Sequence, residues 1–140
     1  MVPRDTRTGG VLESTIIPCL KRNGYLVSSQ QIVGLKPNGR KHRIDAVVDR
    51  KNGTKVLVSL KWQQTGGTAE EKVPFEVIKL IYTLNNDKQY DSAYLVLGGD
   101  AWTLKEWYLH GNLEYYVPES SLVKIVTLEQ FITICNKKQL

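Results

Sequence analysis

The segment Val56 to Gln63 reads V-L-V-S-L-K-W-Q, and its residue types could do chemistry. In an extended chain side chains alternate, so Val56, Val58, Leu60 and Trp62 share one face. Leu57, Ser59, Lys61 and Gln63 share the other. The first face is wholly apolar and suits packing on a helix. The second carries a hydroxyl, an ammonium and an amide in succession. A lysine inside an apolar strand is costly unless it has a partner. The competing reading is a half-exposed face on which Lys61 snorkels to water. Upstream, H-R-I-D-A-V-V-D sets Asp45 within an apolar run. Together these groups form a kit for phosphodiester hydrolysis. Asp45 and the Leu60 backbone carbonyl are hard oxygen ligands suited to Mg²⁺, with Mn²⁺ as a substitute. Such an ion polarises a phosphate and acidifies a bound water. Lys61 would stabilise developing negative charge or position that water, and Gln63 could hydrogen-bond the water or a phosphate oxygen.

Whether Asp45 meets Ser59 and Lys61 depends on the loop between the two strands. A two-residue Asn52-Gly53 loop pairs Lys51 with Thr54 and puts Asp45 opposite Leu60, on the wrong face. A three-residue loop, Lys51-Asn52-Gly53 with Gly53 left-handed, pairs Arg50 with Thr54. Asp45 then stands opposite Ser59, about 5 Å away between β-carbons. Asn-Gly suits both loops, and the site requires the odd one.

The elements that must position these residues follow from periodicity and punctuation. A first helix is predicted over 10–23, with Leu12, Ile16 and Leu20 on one face and Gly24 as the stop. Pro18 should kink or shorten it. Tyr25 to Val33, His42 to Arg50 and Thr54 to Gln63 read as strands, with a turn over Leu35 to Gly39. A long helix spans 69–86, its stripe set by Phe75, Ile78, Tyr82 and Asn85 and widened by Val77, Leu80, Ile81 and Leu84. Thr68 and Glu71 form a T-x-x-E capping box at its start, although Pro74 would suit a helix beginning there. Ala93 to Leu97 is a short strand ended by Gly98-Gly99-Asp100, and Trp102 to Leu109 looks helical. A strand over Leu122 to Val126 and a helix over Leu128 to Asn136, capped by Thr127, complete the chain. The order α-β-β-β-α-β-α-β-α implies a mixed sheet with helices on both faces.

The 140 residues are expected to form one domain, 1–140, long enough to bury a core without disulfides. An apolar fraction of 41% and a charged fraction of 24% exclude a disordered chain. No apolar run is long enough to span a bilayer, and MVPRDTRTGG lacks the apolar core of a secretory signal, so a cytoplasmic protein is expected. Cys19 and Cys135 read as two reduced core thiols. The net charge of +5 is compatible with a polyanionic partner.

RIDAVV, the hairpin, and VLVSLKWQ followed by a helix together resemble the PD-(D/E)XK (restriction-endonuclease-like) nuclease superfamily, which includes restriction enzymes and Holliday-junction resolvases. Its α-β-β-β-α-β core is similar to the order read over residues 10–97. The resemblance implies that Asp45 is a metal-binding aspartate and Lys61 the catalytic lysine. It also implies a role for Glu13, which falls where resolvase-like members carry a glutamate. Ser59 departs from the pattern, standing where the family has Glu or Asp. Some members move this carboxylate onto the following helix, and Glu70 and Glu71, behind the Gly66-Gly67 loop, are the candidates. The alternative for Glu71 is helix capping.

The resemblance thus implies a Mg²⁺-dependent deoxyribonuclease acting as an endonuclease on DNA. The alternatives are a structure-specific junction resolvase and a nucleic-acid-binding module on the same fold that has lost catalysis. Arg40, Lys41 and Arg43, beside His42, and Lys72 after the glycine loop are the candidate DNA contacts. Trp102, Trp107, Tyr108, Tyr115 and Tyr116 read as core or interface rather than base-stacking residues. One such site cuts one strand, so double-strand cleavage would need a homodimer or higher homo-oligomer.

Overall fold

The computed structural model describes residues 7–64 and 68–140. Five strands form one sheet in the order β1-β2-β3-β4-β5. β1 (Leu26–Leu35), β2 (Lys41–Asp49) and β3 (Lys55–Trp62) run antiparallel; β4 (Tyr90–Gly98) and β5 (Val123–Thr127) continue parallel to β3. The crossover from β3 to β4 is α3 (Ala69–Asn86), and α5 (Leu128–Asn136) follows β5. Between β4 and β5 lie α4 (Lys105–Leu109) and two 3₁₀ turns, Asn112–Tyr115 and Ser120–Leu122. This is the mixed α/β sheet with helices on both faces that the sequence predicts.

Two cores result from strand alternation. Leu57, Val47, Ala93, Leu95 and Leu97 pack with Val73, Val77, Leu80 and Leu84 of α3. On the opposite face Val56, Val58, Leu60, Tyr94 and Val96 pack with the N-terminal helix and with Phe131 and Cys135 of α5. Cys19 and Cys135 are buried free thiols whose sulfurs lie 3.2 Å apart. Burial, and then Cys19 beside it, pushes the Cys135 thiol up to about 12.

The N-terminal helix begins earlier than its apolar pattern suggests and is not cut short by Pro18. It runs as α1 (Arg7–Val11), a π segment (Leu12–Ile16) and α2 (Ile17–Arg22). The π segment closes with the Ile17 amide on the Leu12 carbonyl. Pro18 follows directly on the π segment, whose wider turn accommodates its ring and its missing N–H inside a continuous helix. Gly24, at φ +87°, ends the helix, with the Tyr25 amide reaching back to the Leu20 carbonyl at 3.0 Å.

α3 has the predicted span but a different inner face. Phe75, Ile78 and Tyr82 are exposed, and Val73, Val77, Leu80, Ile81 and Leu84 are buried. The expected stripe was therefore turned by about a quarter of the helix. The expected capping box is not formed, because Thr68 makes no side-chain cap. Gln63 takes the role instead, its Oε1 accepting from the Ala69 amide at 3.3 Å. Pro74 sits inside the helix and cannot donate to the Glu70 carbonyl. The Tyr108 hydroxyl supplies that missing bond at 2.7 Å, which ties α4 to α3. The Gly66-Gly67 loop lies outside the described residues.

α4 starts later than predicted, at Lys105, because Trp102 is held out by its indole N–H bond to the Gly98 carbonyl at 2.6 Å. Of the aromatic residues in this connection Tyr108 is buried, whereas Tyr115 and Tyr116 are exposed. Thr127 caps α5 as expected, in a full capping box with Gln130.

Candidate active site

The hairpin joining β2 to β3 has odd parity. Ala46 pairs with Val58, Val47 with Leu57, Val48 with Val56 and Asp49 with Lys55. The Arg50 amide bonds the Thr54 carbonyl at 3.1 Å, which leaves Lys51-Asn52-Gly53 as the loop. Gly53 is left-handed at φ +91°. Continued one step, this register sets Asp45 against Ser59.

The β2–β3 ladder stops at Ala46, although β2 stays paired with β1 through Lys41. Beyond this point the β1–β2 hairpin leaves β3, and the Leu60 amide loses the Ile44 partner that the alternation of hydrogen-bonded pairs would give it. The Asp45 carboxylate fills that place, accepting from the Leu60 amide at 2.7 Å. The N–H and C=O of one strand residue point to the same side, so the Leu60 carbonyl opens toward Asp45. Burial, the largest influence, raises the Asp45 carboxyl above its ordinary value; the neighbouring Glu76 charge adds to this, and the Leu60 amide, Lys61 and Lys79 only partly oppose it.

Ser59 faces α3, as its strand partner Leu57 does, and there it meets Glu76. The Ser59 hydroxyl donates to Glu76 Oε1 at 2.8 Å, and both residues are buried. Lys79 Nζ lies 2.6 Å from Glu76 Oε2, and Lys61 Nζ lies 3.8 Å from the same oxygen. On the Oε1 side stands His42 Nε2, at 4.0 Å. His42 is held from behind by Thr83, whose hydroxyl lies 3.1 Å from Nδ1 and donates to the Lys79 carbonyl at 3.2 Å. With its proton committed there, the Thr83 oxygen is left to accept from Nδ1–H. Burial alone would raise the Glu76 carboxyl, but His42, Lys61 and Lys79 outweigh it and hold the group well below the usual carboxylate range.

The structure therefore brings together Asp45, Ser59, Lys61 and the Leu60 backbone. It does not bring Glu70 or Glu71 to them. The Glu70 carboxylate is taken by Thr103, accepting from its amide and, at 2.8 Å, from its hydroxyl. Glu71 is exposed on the first turn of α3. Gln63 is buried and engaged at the α3 N-terminus. Glu13 is exposed on the N-terminal helix, which packs on the other face of the sheet. Arg40, Lys41 and Arg43 are exposed along the β1–β2 hairpin, and Lys72 is exposed on α3.

Sequence reasoning missed Glu76 and Lys79, and read His42 only as part of a basic run. A signal for Glu76 was present. It falls three residues after Val73 and four before Leu80, inside the stripe that is buried, where a carboxylate needs a partner.

Among the described residues no cluster of three or more His, Cys, Asp or Glu side chains could hold a metal ion. The oxygen donors present are the Asp45 carboxylate with the Leu60 carbonyl beside it, and the Glu76 carboxylate, already engaged by Ser59 and Lys79. Their chemistry suits a hard divalent cation that takes one or two carboxylates and retains several waters. The Asp45 carboxyl, pushed up by burial and by Glu76, is in the condition that a bound dication would relieve.

The profile of the PD-(D/E)XK nuclease superfamily domain matches residues 4–139. Searches of curated proteins and of solved structures gave no match. The carboxylate and lysine on adjacent strands, the mixed sheet and this match together identify the chain as a member of the PD-(D/E)XK nuclease superfamily.

Proposed function

We propose that this nuclease is a divalent-metal-dependent endonuclease that hydrolyses DNA phosphodiesters, with Asp45, Glu76 and Lys61 as its working groups. The observation that carries the reading is the placement of Glu76 against Ser59 and Lys61. It supplies from α3 the carboxylate that β3 lacks at Ser59, and so weighs against a fold that has lost catalysis.

In this reading Asp45, Glu76 and the Leu60 carbonyl hold Mg²⁺ or Mn²⁺. When bound, the ion polarises a phosphate oxygen and acidifies a water. Ser59 fixes the Glu76 carboxylate through its hydroxyl. The Lys61 ammonium, partly exposed near the end of β3, binds a non-bridging phosphate oxygen and stabilises charge that develops there. Lys79 holds Glu76 ionised, and His42 adds to this in its imidazolium form. A single site cuts one strand, so paired cuts require two copies of the chain.

The test is nicking of supercoiled plasmid with Mg²⁺ or Mn²⁺, beside Asp45→Ala and Lys61→Ala. Nicking by the intact protein that disappears in both variants supports the proposal. Nicking that survives in both, or no nicking by the intact protein, overturns it.

A further inference from the structure

We propose that the β1–β2 hairpin is a two-stranded arm that docks in the major groove of duplex DNA beside the Asp45 site. The inference rests on the DNA-cleaving reading above and adds the form of substrate and the element that holds it.

Charge gives the first argument. From Ser14 to Ile44 the chain contains no Asp or Glu, while the hairpin carries Lys36, Arg40, Lys41 and Arg43. Arg40, Lys41 and Arg43 are exposed. Such a concentration suits phosphates, which fix register on a duplex without reading its sequence.

Geometry gives the second. The hairpin has two differently employed faces. Val33 and Ile44 pack toward α3, and His42 is buried against Thr83 of that helix. On the outward face Ile32 is paired with Arg43 and Leu35 with Lys41. These two apolar side chains are 50% and 53% exposed. Two large apolar groups left in water among cations, on an arm already packed on its other side, call for a partner with both charges and apolar edges. The major groove offers phosphates at its rim and thymine methyls on its floor, and it admits a two-stranded ribbon.

Position gives the third. The arm is paired with β3 only up to Ala46, and beyond that point it stands free of β3. At about 3.3 Å per residue, Arg43 lies roughly 7 Å and Arg40 roughly 17 Å along the strand from Asp45. That length covers on the order of five base pairs at 3.4 Å each. The deep, narrow major groove of an RNA duplex would not accept the arm.

The experiment is fluorescence anisotropy in metal-free buffer, across a salt series, with a labelled DNA duplex, its single strand and an RNA duplex of the same sequence. The proteins are wild type, Lys41→Ala/Arg43→Ala, Ile32→Ser/Leu35→Ser, and Lys137→Ala/Lys138→Ala as the control. Removing Lys41 and Arg43 should weaken duplex binding at least about tenfold and lower the log–log salt slope by about 1.8, near 0.9 per phosphate contact. The Ile32/Leu35 pair should weaken binding severalfold with the slope unchanged, and the control should match wild type. Arg40→Ala should lose about half the slope change of the double variant. An unchanged slope in the Lys41/Arg43 variant overturns the arm, as does equal affinity for single strand or RNA duplex. If the intact protein nicks plasmid while the arm variants bind as wild type, only the arm falls. If the intact protein neither nicks nor binds, the DNA-cleaving reading falls with it.

Discussion

The Ser59 hydroxyl donates to Glu76 Oε1 across 2.8 Å, joining β3 to α3 through two buried polar side chains. A serine where the superfamily carries a carboxylate is thus coupled to a carboxylate that arrives from the following helix. In the proposed mechanism Ser59 acts through Glu76, as a positioning residue. Ser59→Ala should leave KM for plasmid near its wild-type value and lower kcat by roughly tenfold, the scale of losing an outer-shell partner of a metal ligand. The metal dependence separates this from a loss of folding: Ser59→Ala should raise the half-saturating Mn²⁺ concentration for nicking, whereas a smaller folded fraction lowers the rate without moving it.

Glu70 and Glu76 should separate cleanly by substitution. Glu76→Ala removes a proposed metal ligand and should lower cleavage on the order of 100-fold or more. It should also cost about 2 kcal/mol of stability. That is less than a fully buried pair, because Lys61 and Lys79 keep 26% and 19% of their side chains exposed. Glu70→Ala strands the Thr103 amide and should cost about 1–2 kcal/mol. Its cleavage per folded molecule should stay at wild type. Urea unfolding and plasmid nicking on both variants check the pair.

Asp45→Asn should trade function for stability. The ionised Asp45 is half-buried, in surroundings that raise its carboxyl, so its charge is a cost to the metal-free fold. An asparagine oxygen can still accept from the Leu60 amide. Stability at neutral pH should therefore be unchanged or increased, by on the order of 1 kcal/mol, while cleavage is abolished. Thermal unfolding beside nicking tests this; a clear loss of stability would contradict the account.

The two carboxylates should give the metal-free protein opposite pH dependences. Glu76 is held below its ordinary value of 4.5, so its stabilisation is fully present above that value and fades as the pH falls through its folded value. Asp45 is raised above 3.8, so stability is lost as the pH rises through its folded value. Urea midpoints measured from about pH 3 to 7 should show a shallower acid limb in Glu76→Gln. In Asp45→Asn the decline toward neutral pH should disappear.

The element order and the hairpin itself were legible because strand alternation and Asn-Gly turn chemistry are local. Asp45, Ser59 and Lys61 were legible for the same reason, since all three belong to one hairpin. The odd loop was not fixed by Asn-Gly, which suits both lengths, and followed only from the need to bring Asp45 to Ser59. Glu76, the carboxylate proposed in place of the one missing at Ser59, was not legible, because its position depends on the rotation of α3 about its axis. Phe75, Ile78 and Tyr82 outbid Val73 and Val77 as an apolar stripe, and that reading turns Glu76 toward solvent. Glu70 and Glu71 were favoured by closeness in sequence to β3, yet the first turn of α3 is held by Gln63, Thr103 and Tyr108 for structural ends. The bond from Tyr108 to Glu70 compensates for Pro74, a long-range relation that no local pattern encodes.

The most direct measurement of the central claim is Mn²⁺ binding followed by electron paramagnetic resonance on wild type, Asp45→Asn, Glu76→Gln and Glu70→Gln. The account predicts one bound ion in wild type and in Glu70→Gln, with affinity falling by about tenfold or more in Asp45→Asn and in Glu76→Gln. Wild-type affinity in Glu76→Gln, or its loss in Glu70→Gln, would contradict the assignment of Glu76 as the second carboxylate.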